Sequence, residues 1–240
     1  MSGTFTKEAL VAHEQWLARG KQGAGRFVVE GSSVGGLQLG SLKLAGARLV
    51  RVDFERSRLD FADLRGAELV ACTAMQANFE HAKLDGATLE RCTFSDARMI
   101  LSNFADGRIT GGDFRRANAD RGAWNRIKIK NADLRELKFG DCVLDGAVLE
   151  GCDLRDAKLG RVTPVLRSLC STMNTTFLRC DLRGANLEGR RLDGTRFIEC
   201  KLANVQGKPL IEGSVVIERP DFSGDASLRT AAELEARWRS

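Results

Sequence analysis

Tyrosine is absent from this 240-residue chain, proline occurs three times and histidine twice. No apolar run reaches eighteen residues without a charge, which argues against a membrane-spanning helix. The opening stretch, Met1 to Leu10, has no basic segment followed by an apolar one, so no secretory leader is read there and the expected location is cytoplasmic. With His13 and His81 the only imidazoles, a histidine-based triad or metal site lacks partners. No two cysteines stand at zinc-ligand spacing. Gly20-Lys21 and the run Gly31 to Gly36 match neither phosphate-binding fingerprint. These absences point away from an enzyme, and no cofactor or metal is expected.

Glycine, by contrast, occurs 25 times and cysteine 7 times, within a composition of 43% apolar and 29% charged residues that is ordinary for a globular protein. Few prolines among many glycines fit an architecture that repeats one corner many times. Its period is visible in Ala77 to Phe94: small residues at Ala77, Ala82, Ala87 and Cys92, and large apolar ones at Phe79, Leu84, Leu89 and Phe94. Both sets return every fifth position, which suits neither an α-helix nor a plain strand. The large position keeps its phase from Val29 to Leu159, is lost past Pro164, and returns shifted at Phe177, Leu182, Leu187, Leu192, Phe197 and Leu202.

Residues two apart on extended chain point the same way, so the small and large members both face inward and the residue between them faces out. Two residues remain to turn a corner, where Gly46, Gly66, Gly86 and Gly146 supply a positive φ. The chain therefore reads as three-residue sides joined by tight corners, winding as a solenoid with coils about 4.8 Å apart.

The runs Ala62 to Gly66, Ala77 to His81, Ala132 to Glu136 and Ala185 to Gly189 resemble the A(D/N)LXX motif of the pentapeptide-repeat proteins. The resemblance implies an all-β solenoid, a right-handed quadrilateral parallel β-helix with four repeats per coil, over residues 27–205. Residues 1–26 then form an N-terminal helix and cap, and 206–240 a C-terminal cap and helix, with a register break at 160–176. Departures from the motif are Ala74 and Ala119 at large positions and Trp124 where Leu or Phe is usual.

With four repeats to a coil, residues twenty apart stack. Phe114 and Trp124 are expected to fill the space that a Leu at 119 would claim. Cys72, Cys92, Cys142 and Cys152 fall on the small inward position of the first phase, and Cys170, Cys180 and Cys200 on that of the second. All seven read as buried apolar filler, with Cys72 over Cys92 and Cys180 over Cys200.

Four features leave the regular cylinder. Thr6 to Gly20 reads as a helix with a capping Thr6 and an apolar stripe at Leu10, His13 and Leu17, covering the open end of the first coil. Ala226 to Arg239 reads as a second helix with Leu228, Leu234 and Trp238 on one side; it either closes the last coil or joins two copies. The break from Arg161 to Asn174 is either a local repair around Pro164 or a projecting loop, with Leu166, Arg167 and Leu169 as its contact candidates. Arg115, Arg116, Arg121, Arg126, Lys128 and Lys130, against Asp120, carry a net charge equal to the +5 of the whole chain, spread as a girdle over successive faces.

One outward column also carries Phe61, His81 and Leu101, with Ile100 alongside, an alignment of exposed apolar groups that suggests a contact patch. The expected function is a non-enzymatic protein-binding scaffold. Family resemblance implies an alternative, modulation of DNA gyrase or another type II topoisomerase by an acidic rod shaped like DNA. That rod fits poorly here: the side carrying Asp53, Asp96, Asp113, Asp133, Asp153 and Asp156 also carries Arg56, Arg115, Arg116, Arg135 and Arg155. Nucleic-acid binding through the girdle is a third reading.

Overall fold

The computed structural model describes residues 5–162, 170–228 and 230–239. Helix α1 (Lys7–Ala18) is followed by ten three-residue strands: β1 (Val28–Glu30), β2 (Arg48–Val50), β3 (Glu68–Val70), β4 (Thr88–Glu90), β5 (Arg108–Thr110), β6 (Lys128–Lys130), β7 (Val148–Glu150), β8 (Thr176–Leu178), β9 (Arg196–Ile198) and β10 (Val216–Glu218). Helix α2 (Ala231–Arg239) follows the strands. The strands form one parallel sheet in chain order, the first face of a solenoid of about nine coils. Single parallel bridges join the coils on the other three faces, as at Asp53↔Thr73, Arg58↔Asn78 and Asp63↔Lys83. No helix among the described residues is long and apolar enough to cross a membrane.

The corners explain the five-residue period. In Leu64 to Ala67 the Ala67 amide donates to the Leu64 carbonyl at 3.0 Å, with Gly66 at φ 62°. A hydrogen-bonded turn of this kind needs a positive φ at its third residue. Each coil then bonds to the next through its main chain, as where Leu64 N–H donates to the Lys83 carbonyl at 2.7 Å.

Inside, identical positions stack. Phe94 lies parallel to Phe114 with centroids 5.1 Å apart, and Phe104 to Trp124 at 4.1 Å. The space left by Ala119 is taken partly as expected. Trp124 meets the edge of Phe139, which stacks one coil beyond Ala119, at 5.0 Å, while Phe114 stays in its own column. The same coil also has glycine at three of its small positions, Gly107, Gly112 and Gly122. A Cβ on Gly122 would lie 2.7 Å from Trp124 Nε1 and 3.0 Å from the Ala119 carbonyl oxygen. Gly122→Ala is therefore expected to lower stability in urea unfolding by about 1–3 kcal/mol, and adding Trp124→Leu should recover part of that loss by vacating the clash.

All seven cysteines are free thiols and buried. Cys142 is pushed up to about 12, by burial first. Neighbouring thiols and then burial hold Cys92 and Cys180 well above the ordinary thiol range. Cys72 lies over Cys92 and Cys180 over Cys200, as the spacing implies. Two further stacks, Cys152 under Cys180 and Cys142 under Cys170, follow from the changed register: Leu149 pairs with Phe177, twenty-eight positions on, so the break inserts eight residues into one coil.

Helix α1 starts at Thr6, whose hydroxyl accepts from the Ala9 amide at 3.2 Å. Its buried side is His13 and Trp16, not the expected stripe through Leu17; Leu10 and Leu17 are only half-buried. The helix is turned so that Nδ1 of His13 accepts the Phe27 amide at 2.9 Å, satisfying a donor at the edge of the first coil, while its ring stacks on Trp16 at 5.2 Å. Burial, the largest influence, lowers the His13 pKa below its usual 6.5. A histidine depressed in the folded state binds fewer protons than in the unfolded one, so its contribution to stability is complete above about pH 6.5 and is lost as the pH falls toward the depressed value. Hydrogen exchange at the Phe27 amide should accelerate over that window relative to the Leu64 amide in the middle of the rod, and a His13→Gln variant should lose the pH dependence.

At the other end Leu228, Leu234 and Trp238 are buried against the chain's own last coils, with Trp238 5.8 Å from Phe197 and Arg237 Nη2 donating to the Val205 carbonyl at 2.6 Å. Of the two alternatives for this segment, a cap on the last coil or a joint between two copies, the burial of these three side chains fits the cap. A residue packed inside its own cap presents no surface to a second copy.

Candidate partner-binding surface

The corner between the third and fourth faces repeats as Ser41, Phe61, His81, Leu101, Arg121 and Asp141, every one at positive φ. Phe61, His81 and Leu101 have φ of 60°, 58° and 60°. Left-handed backbone costs a residue with a Cβ about 1–2 kcal/mol, which is why glycine fills most of the next corner, at Gly46, Gly66, Gly86, Gly146 and Gly194. Burial does not offset that cost here, since Phe61 is 56% exposed and Leu101 43%. The Phe61 ring lies parallel to His81 at 4.8 Å, and Ile100 sits half-buried beside Leu101. The structure thus gathers four of the residues singled out in the sequence into one exposed ridge. Leu166, Arg167 and Leu169 lie outside the described residues.

The basic girdle is largely spent within the chain. Arg116 binds Asp96 through both nitrogens at 2.8 Å, Arg126 binds Asp106 at 2.6 Å, and Lys130 lies 3.4 Å from Glu150. Hydrogen bonds from Arg116 and Arg126 hold Asp96 and Asp106 below the usual carboxylate range. Arg115 belongs to a ladder on the second face, in which Arg115, Arg135, Arg155 and Arg183 each fork onto the aspartate two residues earlier at 2.6 Å. The first three also reach the aspartate of the next coil at 3.6 to 3.8 Å. That face is a self-neutralised Asp–Arg column and not an acidic strip.

No group of three or more His, Cys, Asp or Glu residues is gathered to hold a metal among the described residues. The profile described as pentapeptide repeats matches eight copies over residues 38–73, 75–111, 128–163 and 179–206, more than half of the sequence. The chain belongs to the pentapeptide-repeat family. Solved structures that align with the chain include HetL, a pentapeptide-repeat protein involved in heterocyst differentiation regulation from the cyanobacterium Nostoc, at 17% identity over 88% of this chain and 94% of that one, with a TM-score of 0.42. QnrB1, a plasmid-mediated fluoroquinolone resistance protein, aligns in a trypsin-treated form at 19% identity over 83% and 91%, with a TM-score of 0.48. No curated protein matches the sequence.

One feature of this pentapeptide-repeat rod went unread in the sequence. Arg190 stands at a small inward position, stacked over Cys170, and is completely buried. Its guanidinium donates to the carbonyl oxygens of Leu159, Phe139, Cys142 and Ser171. Leu159 carries the last carbonyl before the break and would ordinarily accept from an amide three residues on; the Val162 amide donates instead to Asp141. Arg190 takes the place of that amide, beside a weak donor, the Cys170 thiol, at 3.5 Å. The other three carbonyls keep a main-chain donor of their own, from Cys142, Ser171 and Leu144. Arg190→Ala is expected to cost about 3–5 kcal/mol through the cavity and through leaving the Leu159 carbonyl with the weak Cys170 thiol as its donor among the described residues. Arg190→Met should cost much less, because it fills the space, removes a buried charge and weakens the bonding of one acceptor; urea unfolding of the pair separates packing from polarity.

Proposed function

We infer that this pentapeptide-repeat protein is a binding scaffold, and that it engages another protein through the ridge of Phe61, His81, Ile100 and Leu101. The observation that carries this reading is the choice of bulky, exposed residues at left-handed corners. Phe61 and Leu101 cost backbone energy there and give the isolated chain little burial in return. Aromatic and aliphatic groups aligned over three successive coils supply a hydrophobic strip of the kind that becomes the dry centre of an interface. Modulation of a type II topoisomerase, the alternative implied by family resemblance, would need an acidic rod, and the Asp–Arg ladder weighs against one. The ion pairs of the girdle weigh equally against a nucleic-acid groove.

Phe61→Asn with Leu101→Asn tests the reading without threatening the fold, since Asn tolerates left-handed backbone. The thermal midpoint is expected to hold or rise slightly, while proteins captured from cell lysate by the immobilised wild type are lost. An identical set of captured proteins would remove the ridge from consideration. A supercoiling assay with DNA gyrase tests the alternative, for which no effect is expected.

A further inference from the structure

Opposite charges meet from coil to coil over much of this surface: Arg48 faces Glu68 at 2.7 Å, Arg219 faces Glu199 at 2.8 Å, and Arg51 binds Glu30. On the first face the rule fails at one place. Arg108 of β5 is the direct register partner of Lys128 of β6, cation on cation, and neither has an ion pair among the described residues. Like charges directly opposite on neighbouring strands are destabilising. The carboxylates that line the grooves beside this pair are already engaged, Asp106 by Arg126 and Glu150 by Lys130 and Arg179. A second cation stack, Lys138 over Lys158 on the third face, differs in sharing its groove with Glu136 and Asp156.

Grooves of about 440 Å³ flank the Arg108–Lys128 pair, and both residues line both of them. The next position in the column is Val148, 38% exposed. The face therefore presents two uncompensated cations and then an aliphatic group on three successive coils.

We propose that this column binds an acidic segment of a partner protein in extended conformation, with carboxylates at alternate positions on Arg108 and Lys128 and an aliphatic side chain on Val148. Same-side residues of an extended segment recur at about 6.6 Å, against about 4.8 Å between coils, a mismatch that the long Arg and Lys side chains can span. The spacing suits a segment of the form acid-x-acid-x-aliphatic, in either direction. Arg126 and Lys130 are matched by Asp106 and Glu150, so the local positive potential comes from Arg108 and Lys128, and it favours encounter with an acidic partner. This surface is separate from the Phe61 ridge, so the two assignments stand or fall independently.

The probe is a fluorescein-labelled peptide carrying two glutamates and a leucine at alternate positions, followed by anisotropy against the full-length protein. Binding at low salt is expected, weakening as salt is raised, with at least about a tenfold loss for the peptide's Gln-for-Glu control. Lys128→Glu should abolish binding and at the same time raise the thermal midpoint by about 1–3 °C, because it turns the like-charged stack into an ion pair with Arg108. The Phe61→Asn/Leu101→Asn protein should bind the peptide like wild type. Failure of the glutamate peptide to bind at low salt overturns the proposal, as does unchanged binding by Lys128→Glu. Tighter retention of inorganic phosphate or of a thymidine oligonucleotide than of the peptide also overturns it, by assigning the cations to a phosphate ligand.

Discussion

Each coil of this rod is hydrogen-bonded to the next through its own main chain, from Val28 to Leu159 in a parallel register of twenty residues that places each side chain over its counterpart. Almost everything else follows from that one constraint. A strand pair in an ordinary sheet can choose its neighbours by slipping register, but here a slip in one side would have to be matched by the other three. Chemistry is therefore organised in columns. Within the interior the column must conserve volume, which is why the coil holding Trp124 and Phe114 takes glycine at 107, 112 and 122 and alanine at 119. On the exterior it must manage charge, which is why so many arginines find their acid one coil away.

The eight-residue insertion shows how much disturbance the register tolerates. It falls after Leu159, at a corner, and the ladder resumes on all four faces beyond it: Val143 pairs with Ser171, Leu149 with Phe177, Asp153 with Asp181 and Lys158 with Asn186. What the insertion does break is the corner bond to Leu159, together with the large apolar position of the next side, where Thr172 replaces leucine and Thr175 and Thr195 turn their hydroxyls onto carbonyls. Around that weakened core, Arg190 gathers four carbonyl oxygens. A buried cation whose partners among the described residues are carbonyls and a thiol is expensive. Its position beside the break identifies it as a local repair of the hydrogen-bond ladder and not as part of a reactive centre.

The legibility of this structure in its sequence follows the same division. Inward and outward positions, the stacked cysteines within one phase and the Phe61–His81–Leu101 column were readable because a five-residue spacing fixes which face a residue takes. The ion pairs were readable too, at a spacing of twenty, as Arg116 with Asp96 and Arg126 with Asp106 show; reading the girdle as a run of neighbours in sequence concealed them. Pairs that span the break were not readable, since Cys152 meets Cys180 only once the insertion length is known. The rotation of α1 was hidden for another reason. His13 is inward as its spacing implies, but seating its Nδ1 on the edge amide of Phe27 brings Trp16, and not Leu17, to the buried side.

A column that is satisfied within the chain has little left to offer a partner. The Asp–Arg ladder, the Arg–Glu pairs of the first face and the leucine stacks are all closed accounts in this sense, which leaves the departures from self-satisfaction as the places where recognition can occur. Two of these stand on different sides of the same uninterrupted stretch: the apolar ridge centred on His81, and the cation pair of Arg108 and Lys128. Between them the coils are joined on every face by main-chain bonds in one continuous ladder. Anything bound at the one surface would be held at a fixed distance and angle from anything bound at the other. A rigid spacer of that kind is what a stack of short sides and tight corners provides, since its stiffness comes from the backbone and leaves the outward side chains free to vary.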